Sequence, residues 1–436
     1  MTSLADNTRA PLARTGRTKR NRRQITGFWS AWAGWMLDGM DSFIYALVLV
    51  PALRELLPKS GIAATGENIG KYGSILFALF LVGWGCSFIW GPIADRFGRT
   101  KTLAGTILMY AVFTGAAYYA ESVWQLAAFR FLAGIGIGGE WAMAGTYVAE
   151  AWPEDRRKMG AGYLQTGYYA GFFVAALLNY TVGAHFGWRA MFLCGLAPVV
   201  VSLFTLVSVK EPERWERADH SSAKKSPMAE IFGPTYLKRT IVNSTLLTIA
   251  IIGLWAGAVY VPSAVTILSK QAGITDPASI PRMVSIATAV LSVGTILGCI
   301  VLPMMAEAIG RRRTLGVYFL IMLFSIPAAF GWAFYLKQGL VPFIALLFVL
   351  GFGGGNFAVF SLWLPEQYET RVRATAFAFA TSVGRFIGAG VNFALAAMVA
   401  SWHTVGTPVA ITAIAFAIGL LILPFAQETR GQVLPR

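Results

Sequence analysis

Charged residues are scarce in this 436-residue chain, in which they make up only 13% of the total. Soluble domains carry about 25% charged residues. Hydrophobic residues make up 56%, more than a single soluble core can bury, so the composition predicts a protein whose solvent is a lipid bilayer. Several nearly uncharged stretches approach the ~20 residues that a membrane-spanning helix needs; they are 73–90, 102–120, 188–209 and 405–426.

Cysteine and histidine are also scarce, with three of each. The cysteines lie inside apolar stretches without metal-ligand spacing, which excludes a disulfide framework and predicts no metal site. No Gly-x-x-x-x-Gly-Lys-Ser/Thr sequence occurs, which argues against ATP as the energy source. The glycine-rich segment 134–139 lies in an apolar helical run, where small residues favour helix packing over dinucleotide binding. We therefore expect no cofactor.

The net charge of +15 could suggest nucleic acid as a partner. The basic residues instead recur in short clusters between apolar runs, which is typical of topology signals in membrane proteins. We therefore expect no nucleic-acid partner, and the positive-inside rule places both termini of a cell-membrane protein in the cytoplasm. Twelve helices are predicted, at 27–50, 72–93, 102–120, 123–149, 158–182, 189–209, 240–262, 283–304, 314–336, 341–364, 374–399 and 406–426.

The longest polar interruption between predicted helices divides the chain into two parts with six helices each. The predicted divisions are a basic cytoplasmic tail at 1–26, a six-helix bundle at 27–209, a cytoplasmic linker at 210–239, a second bundle at 240–426 and a tail at 427–436. An internal repeat supports this division: Asp95 to Arg99 resembles Glu307 to Arg311, and segments 138–157 and 354–373 match at an offset of 216.

The sequence from Gly91 to Lys101 resembles the signature cytoplasmic loop of the major facilitator superfamily, a glycine followed by Asp-Arg-x-Gly-Arg. The resemblance covers nearly the whole chain, because the helix count and the repeat agree with it. It implies an all-α membrane protein with 12 transmembrane helices in two six-helix bundles. It also implies a gating role for Gly91, Asp95, Arg96, Gly98 and Arg99, and for Glu307, Gly310 and Arg311 in the second copy. A basic loop that only anchors topology is the alternative.

Five charged residues lie inside predicted helices: Asp38, Asp41, Arg130, Glu140 and Arg385. A charge at mid-bilayer costs at least about 2.5–3.5 kcal/mol, so such residues usually face a cavity or a partner. With a rise of about 1.5 Å per residue, three of them lie roughly 15–18 Å from the cytoplasmic boundary, near mid-bilayer. The two aspartates share a helix face and can share a proton. Structural ion pairs, with Asp41–Arg130 foremost, are the alternative.

Residues 37–41 also resemble the Asp-Gly-x-Asp motif of proton-coupled organic-acid symporters, which include aromatic-acid, sialate and lactate/pyruvate groups. This resemblance implies proton coupling by Asp38, Asp41, Glu140 and Arg130. Arg385 is the expected ligand of a substrate carboxylate, because its guanidinium makes a bidentate fork that stays charged. Asn356, Gln165, Tyr168 and Tyr169 lie at compatible depths and could supply hydrogen bonds, although helix packing explains them equally well.

The sequence thus predicts a secondary active transporter that imports a small organic acid anion by proton symport through alternating access. Its expected partners are the anion, protons and the bilayer, and we expect a monomer. A neutral-sugar carrier or drug exporter of the same fold is the alternative. An enzyme or receptor would need a catalytic constellation or a sizeable soluble domain, and the sequence has neither. Lactate-like, aromatic and sialate-like cargoes all remain open.

Overall fold

The structure is a computed structural model that describes residues 22–153, 156–217, 226–274, 276 and 279–435. Within these ranges, the side chains of residues 66, 67, 184 and 254–259 are not described. Most of the predicted amino-terminal tail and the linker segment 218–225 lie outside the described residues.

Across the described ranges the chain is all-α, with twelve long helical segments, which confirms the predicted fold class. Eight of them are long and apolar enough to cross a membrane, judged by length and composition. The segments are α1 Arg22–Lys59, α2 Asn68–Phe97, α3 Arg99–Ala116, α4 Val123–Ala151, α5 Arg157–Leu178, α6 His185–Ser208, α7 Leu237–Gln271, α8 Ser279–Ile309, α9 Arg311–Tyr335, α10 Leu340–Gln367, α11 Arg373–Trp402 and α12 Gly406–Phe425.

Two helices continue well beyond their predicted ends, and both contain a proline at the point where we expected them to stop. Helix α1 passes Pro51, and α7 passes Pro262. A proline inside a helix costs about 3 kcal/mol. The residues that follow are buried apolar side chains, such as Leu53 and Leu57 in α1 and Leu268 in α7. Their burial offsets the cost of the proline and extends the helix.

The packing of the first six helices repeats in the last six. Helix α1 packs along α5 and α2 along α4, just as α7 packs along α11 and α8 along α10. The two sets of helices meet mainly where α2 contacts α11 and where α5 contacts α8. Glycine permits the first of these contacts, because a Cβ on Gly91 would lie 2.5 Å from the Cα of Thr375. The predicted 210–239 linker contains two short helices, Glu213–Glu216 and Pro227–Ile231, and α7 begins within it.

Candidate functional site

A cavity of about 490 Å³ lies between α1, α2 and α5 on one side and α7, α8 and α11 on the other. We call the end of the molecule at which this cavity lies the cavity end. Nine of the side chains that line the cavity are aromatic: Phe43, Tyr45, Phe77, Phe80, Tyr168, Tyr169, Phe172, Tyr260 and Phe393. Within the described residues no charged side chain lines it. The walls therefore suit a ligand with an apolar body.

A layer of buried polar residues lies directly beneath the floor of this cavity. Ser42, Leu81 and Ala389 line the cavity. Residues three or four positions away on a helix share its face, so the next side chains inward are those of Asp38, Trp84 and Arg385. The exposed fractions of these three residues are 0%, 1% and 4%. Asp38 and Arg385, both predicted from the sequence, thus lie at the same depth although they belong to opposite sets of helices.

Arg385 is held by aromatic faces. Its guanidinium carbon lies 4.0 Å from the ring centroid of Trp84 and 5.3 Å from that of Trp141. Its Nη1 donates to the carbonyl oxygen of Thr381 in its own helix at 3.2 Å, and its Nε has no partner among the described residues. No carboxylate oxygen of the described residues lies within 4.0 Å of this guanidinium. The arrangement keeps hydrogen-bonding capacity available for an anion.

Two buried carboxylates accompany this one guanidinium. Asp38 interacts electrostatically with both Glu140 and Arg385, and it accepts a long hydrogen bond of 3.4 Å from Ser42. The Glu140 carboxylate lies beside the hydroxyl group of Tyr110, with which it interacts. We call Asp38, Glu140 and Arg385 the charged layer. Because burial of a net charge is costly, the layer is neutral only when one of its carboxylates holds a proton.

Asp41 and Arg130 form a separate pair within the first six helices. The Arg130 Nη1 lies 3.6 Å from an Asp41 oxygen, and both side chains are fully buried. The Thr114 hydroxyl donates to the other Asp41 oxygen at 2.9 Å. The Arg130 guanidinium also lies over the rings of Tyr45, at 4.4 Å, and Phe80, at 5.1 Å. The structure therefore places Asp41 and Arg130 in the ion pair that the sequence offered as the alternative to a coupling role.

Replacing Asp41 with Asn should destabilise the protein, because it leaves Arg130 as a buried cation without its counter-charge. Breaking a buried pair in this way costs about 3–5 kcal/mol. We expect a clear fall in the melting temperature of the detergent-solubilised protein. Glu121→Gln is the matched control, because the Glu121 side chain is 71% exposed and pairs with Lys59 at 3.4 Å. A melting temperature for Asp41→Asn equal to that of the control would contradict the structural role of this pair.

The predicted hydrogen-bonding residues divide into two groups. Tyr168 and Tyr169 line the cavity, whereas Gln165 and Asn356 are buried outside its lining. Gln165 donates through Nε2 to the Ser361 hydroxyl at 2.6 Å, which joins α5 to α10. Asn356 donates to the carbonyl oxygen of Gly353 in its own helix at 2.9 Å.

Sequence reasoning missed the tryptophans that hold Arg385 and the serine that links the two sets of helices. Trp84 and Trp141 are two of 14 tryptophans, most of them in apolar runs. Ser361 is likewise a small polar residue inside an apolar helix. None of the three carries a local signal that separates it from ordinary packing residues, so only the tertiary arrangement identifies them.

At the end opposite the cavity, which we call the gate end, the predicted Asp95 joins α2 to the start of α11. Its carboxylate accepts hydrogen bonds from the backbone N–H of Ala374 at 3.3 Å and of Thr375 at 2.9 Å. It also accepts one from the Thr375 hydroxyl at 2.5 Å and pairs with Arg99 at 2.8 Å. A carboxylate at a helix amino terminus is favourable because the helix dipole is positive there.

Two buried arginine–glutamate clusters close the gate end further. Glu150 lies 3.0 Å from Arg99 and 2.7 Å from Arg373 of the other set of helices. In the second copy, Glu366 lies 2.9 Å from Arg311 and 2.8 Å from Arg157. The four partner residues (Glu150, Arg157, Glu366 and Arg373) lie in the repeated segments 138–157 and 354–373, and their cross-links were not predicted from the sequence.

The remaining predicted gate residues are more peripheral. Arg96 is exposed and its guanidinium lies over the Phe97 ring at 5.4 Å. Glu307, whose side chain is 46% exposed, pairs with Lys158 at 3.0 Å and with Arg311 at 3.5 Å. The second copy therefore places its acidic residue at the surface, whereas Asp95 is buried.

Gly98 and Gly310 make the turns between the helices that carry these residues. Their φ angles are 117° and 94°, a region that favours glycine. The Glu211 carboxylate accepts hydrogen bonds from the backbone N–H groups of Arg99 at 2.7 Å and Thr100 at 3.1 Å. Glu428 does the same for Arg311 and Arg312, each at 3.0 Å. Two similar assemblies thus join the helices at the gate end, and the cavity lies at the opposite end.

Comparisons with known proteins agree with this architecture. The sequence model of the Major Facilitator Superfamily matches residues 31–298. The chain is 30% identical to a probable 4-methylmuconolactone transporter of Cupriavidus pinatubonensis, over 94% of this chain and 92% of that protein. It is 29% identical to a sialic acid transporter of Escherichia coli, over 55% of this chain and 64% of that protein.

Among solved structures, the fold is similar to that of XylE, a proton:xylose symporter of Escherichia coli. The TM-score is 0.77, and the alignment covers 94% of this chain and 98% of the other. The two sequences are 18% identical, so this likeness concerns the fold alone.

Proposed function

This chain belongs to the major facilitator superfamily, and from that premise we propose that it imports a small organic acid anion together with protons. The family consists of membrane transporters, and the protein is accordingly a multi-pass membrane transporter. In the proposed cycle, a cavity between two six-helix bundles, 27–209 and 240–426, opens alternately to the two sides of the cell membrane.

The observation that carries the proposal is the placement of Arg385. Its guanidinium is buried one helical turn beneath the cavity floor, and no carboxylate oxygen of the described residues lies within 4.0 Å of it. A buried cation is retained in a membrane protein where it meets a functional partner. The cavity lies directly above it, so an anion that enters can pair with the guanidinium. Tyr168 and Tyr169 are proposed to contact the body of that anion.

The proposed coupling residues are Asp38 and Glu140, the two carboxylates of the charged layer. An anion on Arg385 removes the positive charge that Asp38 otherwise faces, and Asp38 in turn interacts with Glu140. In the proposed cycle Glu140 keeps the proton that the empty layer already holds, and proton uptake by Asp38 restores neutrality in the buried layer when the anion binds. The anion and the proton thus favour each other's binding, which is the thermodynamic basis of symport. Asp41 and Arg130 are proposed to support this arrangement by fixing α1 against α4.

We place the gate end at the cytoplasmic side, because the basic loops with Arg96, Arg99 and Arg311 lie there. Both termini are then cytoplasmic, and the structure faces outward. The proposed gate comprises Gly91, Gly98 and Gly310 with the charged residues around them. Because one chain supplies both walls of the cavity, a monomer suffices for the proposed cycle.

The cavity walls favour a particular kind of acid. Hydroxyl-bearing side chains and one amide do line the cavity, but they are outnumbered by apolar ones, so most of the surface that a ligand meets is apolar. A planar, unsaturated or aromatic body packs well against the aromatic rings of this lining. Lactate would leave much of the 490 Å³ unfilled. We therefore propose a ring or conjugated carboxylate, nearer in kind to the cargo named for the muconolactone relative than to sialic acid.

Uptake by purified protein in proteoliposomes tests this proposal. With an inward proton gradient, we expect accumulation of benzoate-type or muconate-type acids, and weak uptake of lactate, sialic acid or xylose. The methyl ester of the best acid is the matched ligand, because it keeps the ring and removes the charge. Equal binding of acid and ester would favour a drug exporter, and xylose uptake would favour a neutral-sugar carrier.

A further inference from the structure

Trp141 of α4 connects the charged layer to the opposite set of helices. The centroid of its ring lies 5.3 Å from the Arg385 guanidinium. The ring makes edge contacts with the rings of Phe377 and Phe357, at centroid distances of 5.4 Å and 6.0 Å. Its indole N–H donates to the Ser361 hydroxyl oxygen at 3.1 Å. The residue is only 2% exposed. One side chain of the first six helices thus contacts both α10 and α11 of the last six.

Ser361 lies between the charged layer and the gate end. Its hydroxyl oxygen accepts a second hydrogen bond, from Gln165 of α5 at 2.6 Å. Five residues further along α10 is Glu366 of the gate, about 7.5 Å away at the helical rise. A hydroxyl oxygen can accept two hydrogen bonds, so both donors are accommodated. The Trp141–Ser361 bond therefore holds α10 against α4 at the level where the two sets of helices must part for the gate to open.

We propose that Trp141 is a positioning residue that couples occupancy of Arg385 to opening of the gate end. The inference rests on the proposed function, because it takes the ligand of Arg385 to be a carboxylate. In the empty state, Arg385 and Ser361 together fix the orientation of the indole. The indole in turn holds α10 in the closed position.

A bound carboxylate changes this balance. A charge-assisted bidentate pair is stronger than contact with an aromatic face, so the carboxylate draws the guanidinium outward, toward the cavity. Trp141 then loses the contact that fixes its ring, and its bond to Ser361 weakens. Helix α10 becomes free to separate from α4, and the gate end opens only after the site is filled.

Trp141→Phe tests this mechanism, because it keeps an aromatic face for Arg385 and removes the indole N–H. Ser361→Ala removes the acceptor. In hydrogen-exchange measurements on the full-length protein without ligand, we expect peptides spanning 361–376 to exchange roughly two- to tenfold faster in Trp141→Phe, the change that one hydrogen bond produces. They should exchange at least as fast in Ser361→Ala, which also removes the bond from Gln165. The wild type should reach this rate only with the acid that it transports best. The double variant should match Ser361→Ala alone, since Ser361→Ala already removes the bond that Trp141→Phe removes.

Trp124→Phe is the matched control, because Trp124 lies at the other end of α4 and is 57% exposed; it should keep wild-type protection. Wild-type protection of 361–376 in both test variants would overturn the inference. If Trp141→Phe does not fold, Ser361→Ala is compared with Gln165→Met, which removes only the other bond to Ser361; equal exchange in these two variants would also overturn the inference. Failure of the proposed function is distinguishable, because the wild type would then transport none of the acids. The ligand-free difference between wild type and variants does not depend on that result.

Discussion

Changing Arg385 to lysine should raise the KM for carboxylate uptake roughly 30-fold or more, the factor expected from loss of at least about 2 kcal/mol at a buried charge pair. Lysine keeps the positive charge but presents a single ammonium in place of the planar fork, so it cannot make two parallel bonds to a carboxylate. It also loses the flat face that rests against Trp84 and Trp141. Initial uptake rates in proteoliposomes over a range of acid concentrations measure the effect.

The same substitution at Arg313 serves as the control. Arg313 is exposed near the start of α9, so Arg313→Lys should leave both KM and maximal rate unchanged. If the Arg385→Lys variant kept wild-type affinity for the acid, the anion would not bind at Arg385. Such a result would instead favour the neutral-sugar carrier or drug exporter.

Asp38→Asn should separate transport of the anion from the proton gradient. With one proton per anion, the wild type can accumulate its acid about tenfold per pH unit of gradient, because a tenfold ratio corresponds to about 1.4 kcal/mol. The amide cannot take up or release the proton, so the variant should only equilibrate the acid across the membrane. Exchange of labelled for unlabelled acid needs no net proton movement and should continue. Both activities are measured in the same proteoliposomes.

Asp38→Glu restores a carboxylate at this position and should recover part of the gradient-driven accumulation. If the Asp38→Asn protein still concentrated its acid, a residue other than Asp38 would couple transport to the proton gradient. Glu140 is then the next residue to change, because it is the other carboxylate of the charged layer. A variant that loses exchange as well as accumulation would indicate a structural role for Asp38.

The number and order of the helices followed from the sequence, because long apolar runs between basic clusters have few interpretations in a membrane protein. The loop around Asp95 and Gly98 was also identifiable, since a fixed turn demands particular residues at fixed spacing. Helix ends at Pro51 and Pro262 were misplaced. At both positions the proline indicated a helix end, whereas burial of the residues that follow favours a longer helix. Burial depends on neighbours that are distant in sequence, so the sequence pattern did not reveal it.

The partners of the buried charges were less accessible to sequence reasoning. Asp38 and Asp41 lie on one helix face, and that spacing suggested a coupled pair. The structure gives them different surroundings, because Arg130 arrives from α4 and Thr114 from α3 on the side of Asp41 only. In a helix that is apolar on most sides, the hydrophobic pattern does not show which face meets which neighbour. That choice decides which aspartate is paired and which remains available for a proton.

The two carboxylates and one guanidinium of the charged layer also bear on how membrane voltage contributes to uptake. Under the proposed mechanism, a monovalent anion that enters with one proton carries no net charge, so the potential does no work on it. Only if Glu140 also gave up its proton in each cycle would a turnover carry a second proton, and hence one positive charge inward, to which 100 mV adds about 2.3 kcal/mol. The layer thus limits the electrical contribution to one elementary charge per anion.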